Sequence, residues 1–266
     1  MVGKRKYTIQ TLTVAVLAMS VALTVFTPGT SQGRLFGQCG EELEDFTADP
    51  KFRSIFPDLS ECELLTEGDN PYFPLIPGYE IVLASEDELV EIVVTDDTEM
   101  VGDLETRVVE EREFEIIDDG NGAAVLRTLE ISYNFFTFCP DSGAVYYHGE
   151  DVDVWNWDEE GNFLGITHPG EWREGEGALA GQIMPGLDDI DVKYRFYQEI
   201  APADEALDKG KVHKIFEECE VNGETFNECV MIIDSSDCSP EKDIKIYAYG
   251  VGIVQDEDLV FTPEEP

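Results

Sequence analysis

The densest run of chemically capable side chains is Tyr146-Tyr147-His148-Gly149-Glu150-Asp151-Val152-Asp153-Val154-Trp155-Asn156-Trp157. Alternate residues of a β-strand share a face, so Asp151, Asp153, Trp155 and Trp157 are expected on one side and Val152 and Val154 on the other. Two carboxylates beside two indoles suit the mouth of a pocket, because rings offer stacking area and acids accept from a cation or hydroxyl. The same pattern suits an ordinary half-buried strand with valines inward and indoles over an apolar rim. His148 and Glu150 share a face on an ideal strand and could act as a general acid/base pair in one cavity. A histidine at a strand end is equally suited to a structural hydrogen bond. His168-Pro169-Gly170-Glu171-Trp172-Arg173 is loop-forming and would carry Trp172 over the same mouth. The candidate ligand-binding set is therefore Tyr146, His148, Glu150, Asp153, Trp155, Trp157 and Trp172.

Other chemistries lack their residues. There is no glycine-rich phosphate loop at a strand-to-helix junction, no Gly-x-Ser-x-Gly elbow and no Cys-x-x-Cys pair. The three histidines, His148, His168 and His213, show no His-x-x-x-His spacing for zinc. Acidic runs at Asp96-Asp97, Asp188-Asp189-Ile190-Asp191 and Asp256-Glu257-Asp258 lack the ligand spacing of an EF-hand. No catalytic residue, metal site or cofactor is expected, and cation binding would be weak and distributed.

The charge is extreme, with 58 acids and 17 bases for a net of −41. Lys4, Arg5 and Lys6 precede residue 34 while all 58 acids follow it, so the remainder carries −44. That balance excludes nucleic acid as a partner, which needs a basic footprint. It fits a solvated surface screened by salt, or carboxylates that take up cations or a mineral surface.

Those first residues have the order of a secretory signal, 1–33: a basic start, an apolar run from Leu12 to Phe26, then Thr27-Pro28-Gly29-Thr30-Ser31-Gln32-Gly33. The run is shorter than the about 20 apolar residues that cross a bilayer comfortably. No Ala-x-Ala site follows Phe26, so a membrane contact through an uncleaved N-terminal segment is the alternative. An extracellular or periplasmic setting also suits the six cysteines, an even number compatible with disulfides. Cys39 and Cys62 bracket one small segment and are the expected pair; Cys139, Cys219, Cys229 and Cys238 stay unassigned.

Positioning these residues falls to a mainly β body. Residues 34–69 read as a short preface, with a helix over Glu41 to Phe46 and a second turn around Phe52, Ile55, Phe56 and Leu59. Asn70-Pro71-Tyr72-Phe73-Pro74-Leu75-Ile76-Pro77-Gly78 stops any helix, and an antiparallel β domain occupies 70–262. Period-two runs appear at 80–84, 89–95, 106–116, 124–138, 144–148, 152–157, 163–167, 192–200, 212–217, 229–233 and 244–254. In 124–138, Val125, Leu129, Ile131, Tyr133 and Phe135 share one face, and Thr128, Glu130, Ser132 and Asn134 the other. Turn signals such as Asp141-Ser142-Gly143 and Asn222-Gly223 separate the runs. Such a meander must curl into a barrel or a strongly curved sheet. Only Pro202 to Leu207 reads as a further helix.

The segment Asn70 to Gly78 also opens a resemblance. With Arg107-Val108-Val109-Glu110, Tyr146 to Val152, Trp172, Gly177-Ala178, Met184-Pro185-Gly186, Tyr197-Gln198-Glu199 and Tyr247 to Val254, it is similar to a broad group of exported, largely uncharacterised bacterial proteins. The likeness implies an all-β exported fold and carries no activity or catalytic residue. The residues together lead us to expect an exported, non-enzymatic binding protein for a small apolar or aromatic ligand. The alternatives are an acidic structural or cation-interacting envelope protein and, third, an enzyme using His148 and Glu150.

Overall fold

The computed structural model describes residues 39–52, 59, 62–118 and 123–263. A small hairpin, β1 (Gly68–Asn70) and β2 (Phe73–Leu75), forms a sheet of its own. From there the period-two runs become a meander of β3 (Glu80–Ala84), β4 (Glu88–Val101), β5 (Leu104–Asp118), β6 (Ala124–Phe138) and β7 (Val145–Trp157), each antiparallel to the next. Three short strands, β8 (Phe163–Thr167), β9 (Trp172–Arg173) and β10 (Gly181–Met184), return to β7 at different levels. A second meander follows: β11 (Arg195–Tyr197), β12 (Asp208–Val221), β13 (Glu224–Ser236), β14 (Lys242–Ala248), β15 (Gly252–Asp256) and β16 (Leu259–Phe261). Pairing of β16 with β3 joins the two meanders into one sheet.

That sheet is not a closed barrel. Its path runs from β10 to β11 without a ladder between those two ends. The ends nevertheless meet: Leu179 N–H donates to Ile200 O at 2.9 Å, and a side chain at Gly181 would strike the carbonyl of Gln198. Short terminal strands, a register shift in β10 and Pro185 just beyond it leave no run of free donors to zip the seam. The product is an open, strongly curved sheet.

Curvature gathers one core from strands far apart along the path: Val94, Val109, Phe136, Tyr147, Phe196, Val212, Val230 and Tyr247, with Tyr72 and Leu75 from the small hairpin packed among them. Burial of such side chains stabilises by roughly 1.5–3 kcal/mol each. On β6 the polar face turns inward: Ser132 and Asn134 are buried while Ile131 and Tyr133 are half-buried. Asn134 Nδ2 donates to Ser132 Oγ at 3.1 Å, which meets part of the cost of that burial. Phe135 instead joins Val101, Val108 and Tyr133 in a smaller cluster.

Several expectations change. Residues 144–148 and 152–157 are parts of one strand, β7, whereas 244–254 is two, divided by a turn with Gly250 at φ 73°. The helix expected at Pro202 is a single 3-10 turn, Pro202–Asp204, ended by Glu205 at φ 63° and by a bridge between Ala201 and Ala206. Leu43–Asp45 is likewise one 3-10 turn, while Ile55 and Phe56 lie outside the described residues, as does the signal-like segment 1–33. Among the described residues no helix is long and apolar enough to cross a membrane.

Cys39 and Cys62 do not pair with each other. The disulfides are Cys39–Cys238, Cys62–Cys139 and Cys219–Cys229. The preface explains why, because its two ends dock on different places. Phe46 and Phe52 pack their rings against Tyr197 at 5.7 and 5.4 Å, and Gly40 N–H donates to Pro202 O at 2.7 Å, on the side where Cys238 lies. At the other end Leu65 and Phe138 exchange both backbone hydrogen bonds, bringing Cys62 beside Cys139.

Candidate functional site

One glycine decides where the β7 side chains point. Gly149 sits at φ 141°, and a Cβ there would lie 2.3 Å from the carbonyl oxygen of Trp172, so only glycine fits. Phe136 lies opposite Tyr147 and Asn134 opposite Glu150, so β7 inserts one extra residue against β6. Tyr147 and Glu150 consequently share the concave face, where the Tyr147 hydroxyl bridges Asn134 and Glu150.

His148 faces the other way. Its Nε2 lies 2.8 Å from Thr137 Oγ1 and its Nδ1 2.6 Å from Glu174 Oε2. Hydroxyl, imidazole and carboxylate in line are the parts of a nucleophile, base and orienting group. Thr137 and His148 are both fully shielded from solvent, however, and a substrate cannot reach the hydroxyl. The residue pattern that suggested a His148/Glu150 pair misses the bulge between them.

The remaining predicted residues separate into four places. Tyr146 is buried against Cys139 and Ala144 beside the Cys62 disulfide. Trp172 is buried in the main core with its ring 5.1 Å from that of Tyr147, and its indole N–H has no hydrogen-bond partner among the described residues. Asp153 lies 3.1 Å from His168 Nδ1, and Asp151 accepts from Arg173 at 2.8 Å, so the predicted loop folds back along β7.

Trp155 and Trp157 line a shallow, open surface groove with Ile117, Leu126 and Arg127 on one side and Glu159 and Glu160 on its rim. Trp157 is held from several sides: its Nε1–H donates to Thr128 O at 2.9 Å, the Arg127 guanidinium lies 5.5 Å from its ring, and Phe163 meets it edge-on at 5.4 Å. Leu126 and Phe163 are each about half exposed, so the groove is bordered by apolar surface open to a ligand.

The concave face holds residues that sequence patterns did not single out. Glu111 and Glu113 on β5 lie opposite Ser132 and Glu130 on β6, and Glu150 on β7 lies opposite Asn134 of β6. Across the curved sheet Glu111 lies within electrostatic reach of Lys245 and Asp256, Glu150 of Asp208, and Glu199 of Asp208, Glu150, Lys245 and Asp234. Glu111 senses Lys245 although β5 and β14 are far apart in the strand order, a consequence of curvature.

Enclosure raises these carboxyls. Burial, helped by Glu111 and Glu130, pushes Glu113 up to about 8; burial pushes Glu150 to about 8 despite the Tyr147 hydrogen bond. Burial and Glu111 take Glu130 to about 7, and burial takes Asp234 to about 6 against the opposing pull of Lys245. Glu199 and Asp208 are also raised, first by burial. For Lys245 burial opposes the charge, but Asp256 and Asp234 outweigh it and hold the ammonium charged. Lys245 Nζ lies 3.1 Å from Asp256 and 3.6 Å from Asp234.

The sequence does carry a trace of this face in the acids at every second position of Glu111-Arg112-Glu113. Alternation alone assigns such acids to solvent, and only the pairing register turns them inward. Among the described residues, no group of three or more His, Cys, Asp or Glu side chains is arranged to hold a metal ion.

Fold and surfaces thus define an antiparallel, curved-sheet protein stapled by three disulfides, which suit an oxidising compartment, with an aromatic groove and a carboxylate-lined concavity. No family model, curated protein or solved structure matches the chain.

Proposed function

We propose that this is an exported, extracellular or periplasmic binding protein without catalytic activity, and that the Trp155/Trp157 groove takes a small apolar or aromatic ligand. The observation that carries the reading is the groove itself: two indoles beside the side chains of Ile117 and Leu126 in a shallow surface groove whose rim holds Glu159 and Glu160. Trp157 is fixed by its neighbours, leaving a preorganised wall that costs little ordering on binding. Arg127, ion-paired with Glu115, braces the Trp157 ring at the rim. The signal-like segment 1–33 and the three disulfides support export. Titration with the neutral fluorescent probe N-phenylnaphthylamine tests it: saturable tryptophan quenching, lost in Trp155→Ala with an unchanged melting temperature, is expected. Absence of quenching and of any thermal shift would overturn it.

A second reading, cation uptake, is favoured by the half-buried carboxylates of the concave face. Glu111, Glu113, Glu130, Glu150, Glu199 and Asp208 make no ion pair with a basic side chain among the described residues. Once pH rises past the raised values of Glu130, Glu113 and Glu150, about 7 to 8, the negative charge released in the concavity raises the local concentration of cations.

A further inference from the structure

The rim of the Trp155/Trp157 groove is the turn between β7 and β8, and several hydrogen bonds hold its shape. Gly161 sits at φ 80°, and its N–H donates to Asp158 O at 2.9 Å. The Asp158 carboxylate accepts from the backbone N–H groups of Glu160 at 3.0 Å and Asn162 at 2.7 Å, and from Asn162 Nδ2 at 2.9 Å. A turn tied in this way fixes where Glu159 and Glu160 leave the backbone, and both are exposed beside the indoles. The Asn162 side-chain amide, followed by the backbone N–H groups, holds Asp158 below the usual carboxylate range, so the turn keeps its charge as pH falls.

Charge and ring electronics in the groove select the same kind of occupant. Arg127 is the basic side chain that lines it, and its guanidinium is already paired with Glu115 and set 5.5 Å from the Trp157 ring. Glu159 and Glu160 make no ion pair with a basic side chain among the described residues. Arg127 and Glu115 offset one another, which leaves the groove with a net negative charge. The Arg127–Trp157 contact also shows that this wall accepts a cation over an indole. Trp155 is the indole left over. It is half-buried, and its ring meets no aromatic ring and no basic side chain among the described residues. An anion placed there would face two carboxylates and the negative face of an indole; a cation is attracted by all three.

We infer that the groove selects an aromatic organic cation, a flat ring carrying a positively charged nitrogen, which lies against Trp155 with its charge toward Glu159 and Glu160. This inference rests on the reading of the groove as a small-molecule site and specifies the ligand class. The ring area covers Ile117 and Leu126, as any aromatic ligand would, and the charge supplies the discrimination. Because the groove is shallow and open, its carboxylates stay hydrated, so the preference is moderate and sensitive to salt.

The test is a titration of the full chain with three rings of nearly the same shape, N-methylquinolinium, 1-methylnaphthalene and 1-naphthoate, followed through the indole N–H resonances. Saturable movement of the Trp155 signal is expected with affinity falling from cation to neutral ring to anion, the cation binding about tenfold tighter than 1-methylnaphthalene. Raising salt from about 0.02 M to about 0.5 M should narrow that gap. The double variant Glu159→Gln/Glu160→Gln should narrow it by roughly threefold or more, whereas Glu224→Gln on the exposed β12–β13 hairpin should leave it unchanged. These replacements keep side-chain shape on exposed turns, and melting curves verify folding. Binding of 1-methylnaphthalene as tight as that of the cation, with the Trp155 signal still saturating, would sink the charge preference while keeping the groove. A cation preference that survives the double variant intact would have its source elsewhere on the acidic surface and would overturn the inference as well. No saturable movement with any of the three compounds would remove the groove reading itself.

Discussion

His148 Nδ1 lies 2.6 Å from Glu174 Oε2, joining the second residue of the Tyr147–Gly149 turn in β7 to the end of the loop that folds back along it. Glu174 N–H also donates to His148 O at 2.8 Å, so the imidazole and the backbone clamp the same two segments. Thr137 Oγ1 completes the line at 2.8 Å from Nε2. Its role is to hold the return of the chain against the bulge that places Glu150 inside.

Replacing His148 by alanine would leave Thr137 buried without its imidazole and Glu174 without its partner. A loss of about 2–4 kcal/mol is expected, or roughly 5–15 °C in melting temperature for a chain of this size. Glu174→Gln keeps a hydrogen-bonding group and should cost less. Calorimetric melting curves of both variants measure this, and a neutral His148→Ala would refute the clamp.

The disulfide map has a direct readout. A non-reducing proteolytic digest should give peptides linking Cys39 to Cys238, Cys62 to Cys139 and Cys219 to Cys229, with none linking Cys39 to Cys62. The first closes a separation of 199 residues and the third only 10. If restriction of the unfolded chain dominates, removing the Cys39–Cys238 pair costs more than removing Cys219–Cys229, by roughly 2–3 kcal/mol. Urea unfolding of the two double-serine variants compares them.

Acidity should stabilise this protein over a range where many proteins are indifferent. Glu113 and Glu150 move from 4.5 to about 8 and Glu130 to about 7, each chiefly through burial. The folded state therefore keeps protons that the unfolded chain has released, so it binds more protons throughout that window. Stability is then greatest below the unfolded value and falls as pH rises through the folded one. Urea midpoints at fixed ionic strength should be lower near pH 8 than near pH 5; a midpoint that rises would contradict the enclosed carboxyls. Glu113→Gln should flatten the slope.

Ionic strength addresses the surface charge separately. Moving from about 0.01 M to about 1 M salt shortens the screening length from roughly 30 Å to roughly 3 Å, and with a net charge of −41 the melting temperature should climb. Chelation of calcium at constant ionic strength should leave it unchanged. A large loss on chelation would show a specific calcium site that the described side chains do not form.

Legibility in the sequence followed the range of the interaction concerned. Strands such as Glu80–Ala84, Ala124–Phe138 and Phe163–Thr167 were marked by local alternation and flanking turns, and their ends agree with the structure. The bulge at Gly149 was not, because a glycine within a strand gives no warning of the Trp172 carbonyl that will occupy its Cβ position. Nor could Cys39 be matched to Cys238, since the docking of Phe46 and Phe52 on Tyr197 is a long-range event. Of the candidate residues, Trp155 and Trp157 do reach a shared groove, whereas Tyr146, His148, Glu150 and Trp172 are divided among other settings by the bulge and the curvature. The inward polar face of β6 was misleading for the same reason: which side of a sheet is concave depends on closure of the whole path.

The most direct measurement is the nuclear magnetic resonance spectrum of the three indole N–H groups during titration with N-phenylnaphthylamine. Groove binding predicts that the Trp155 signal moves and saturates, that Trp157 follows less because its N–H is held by Thr128 O at 2.9 Å, and that buried Trp172 stays in place. Movement of Trp172 with Trp155 unmoved, or no movement of any of the three, would contradict the groove as the ligand site.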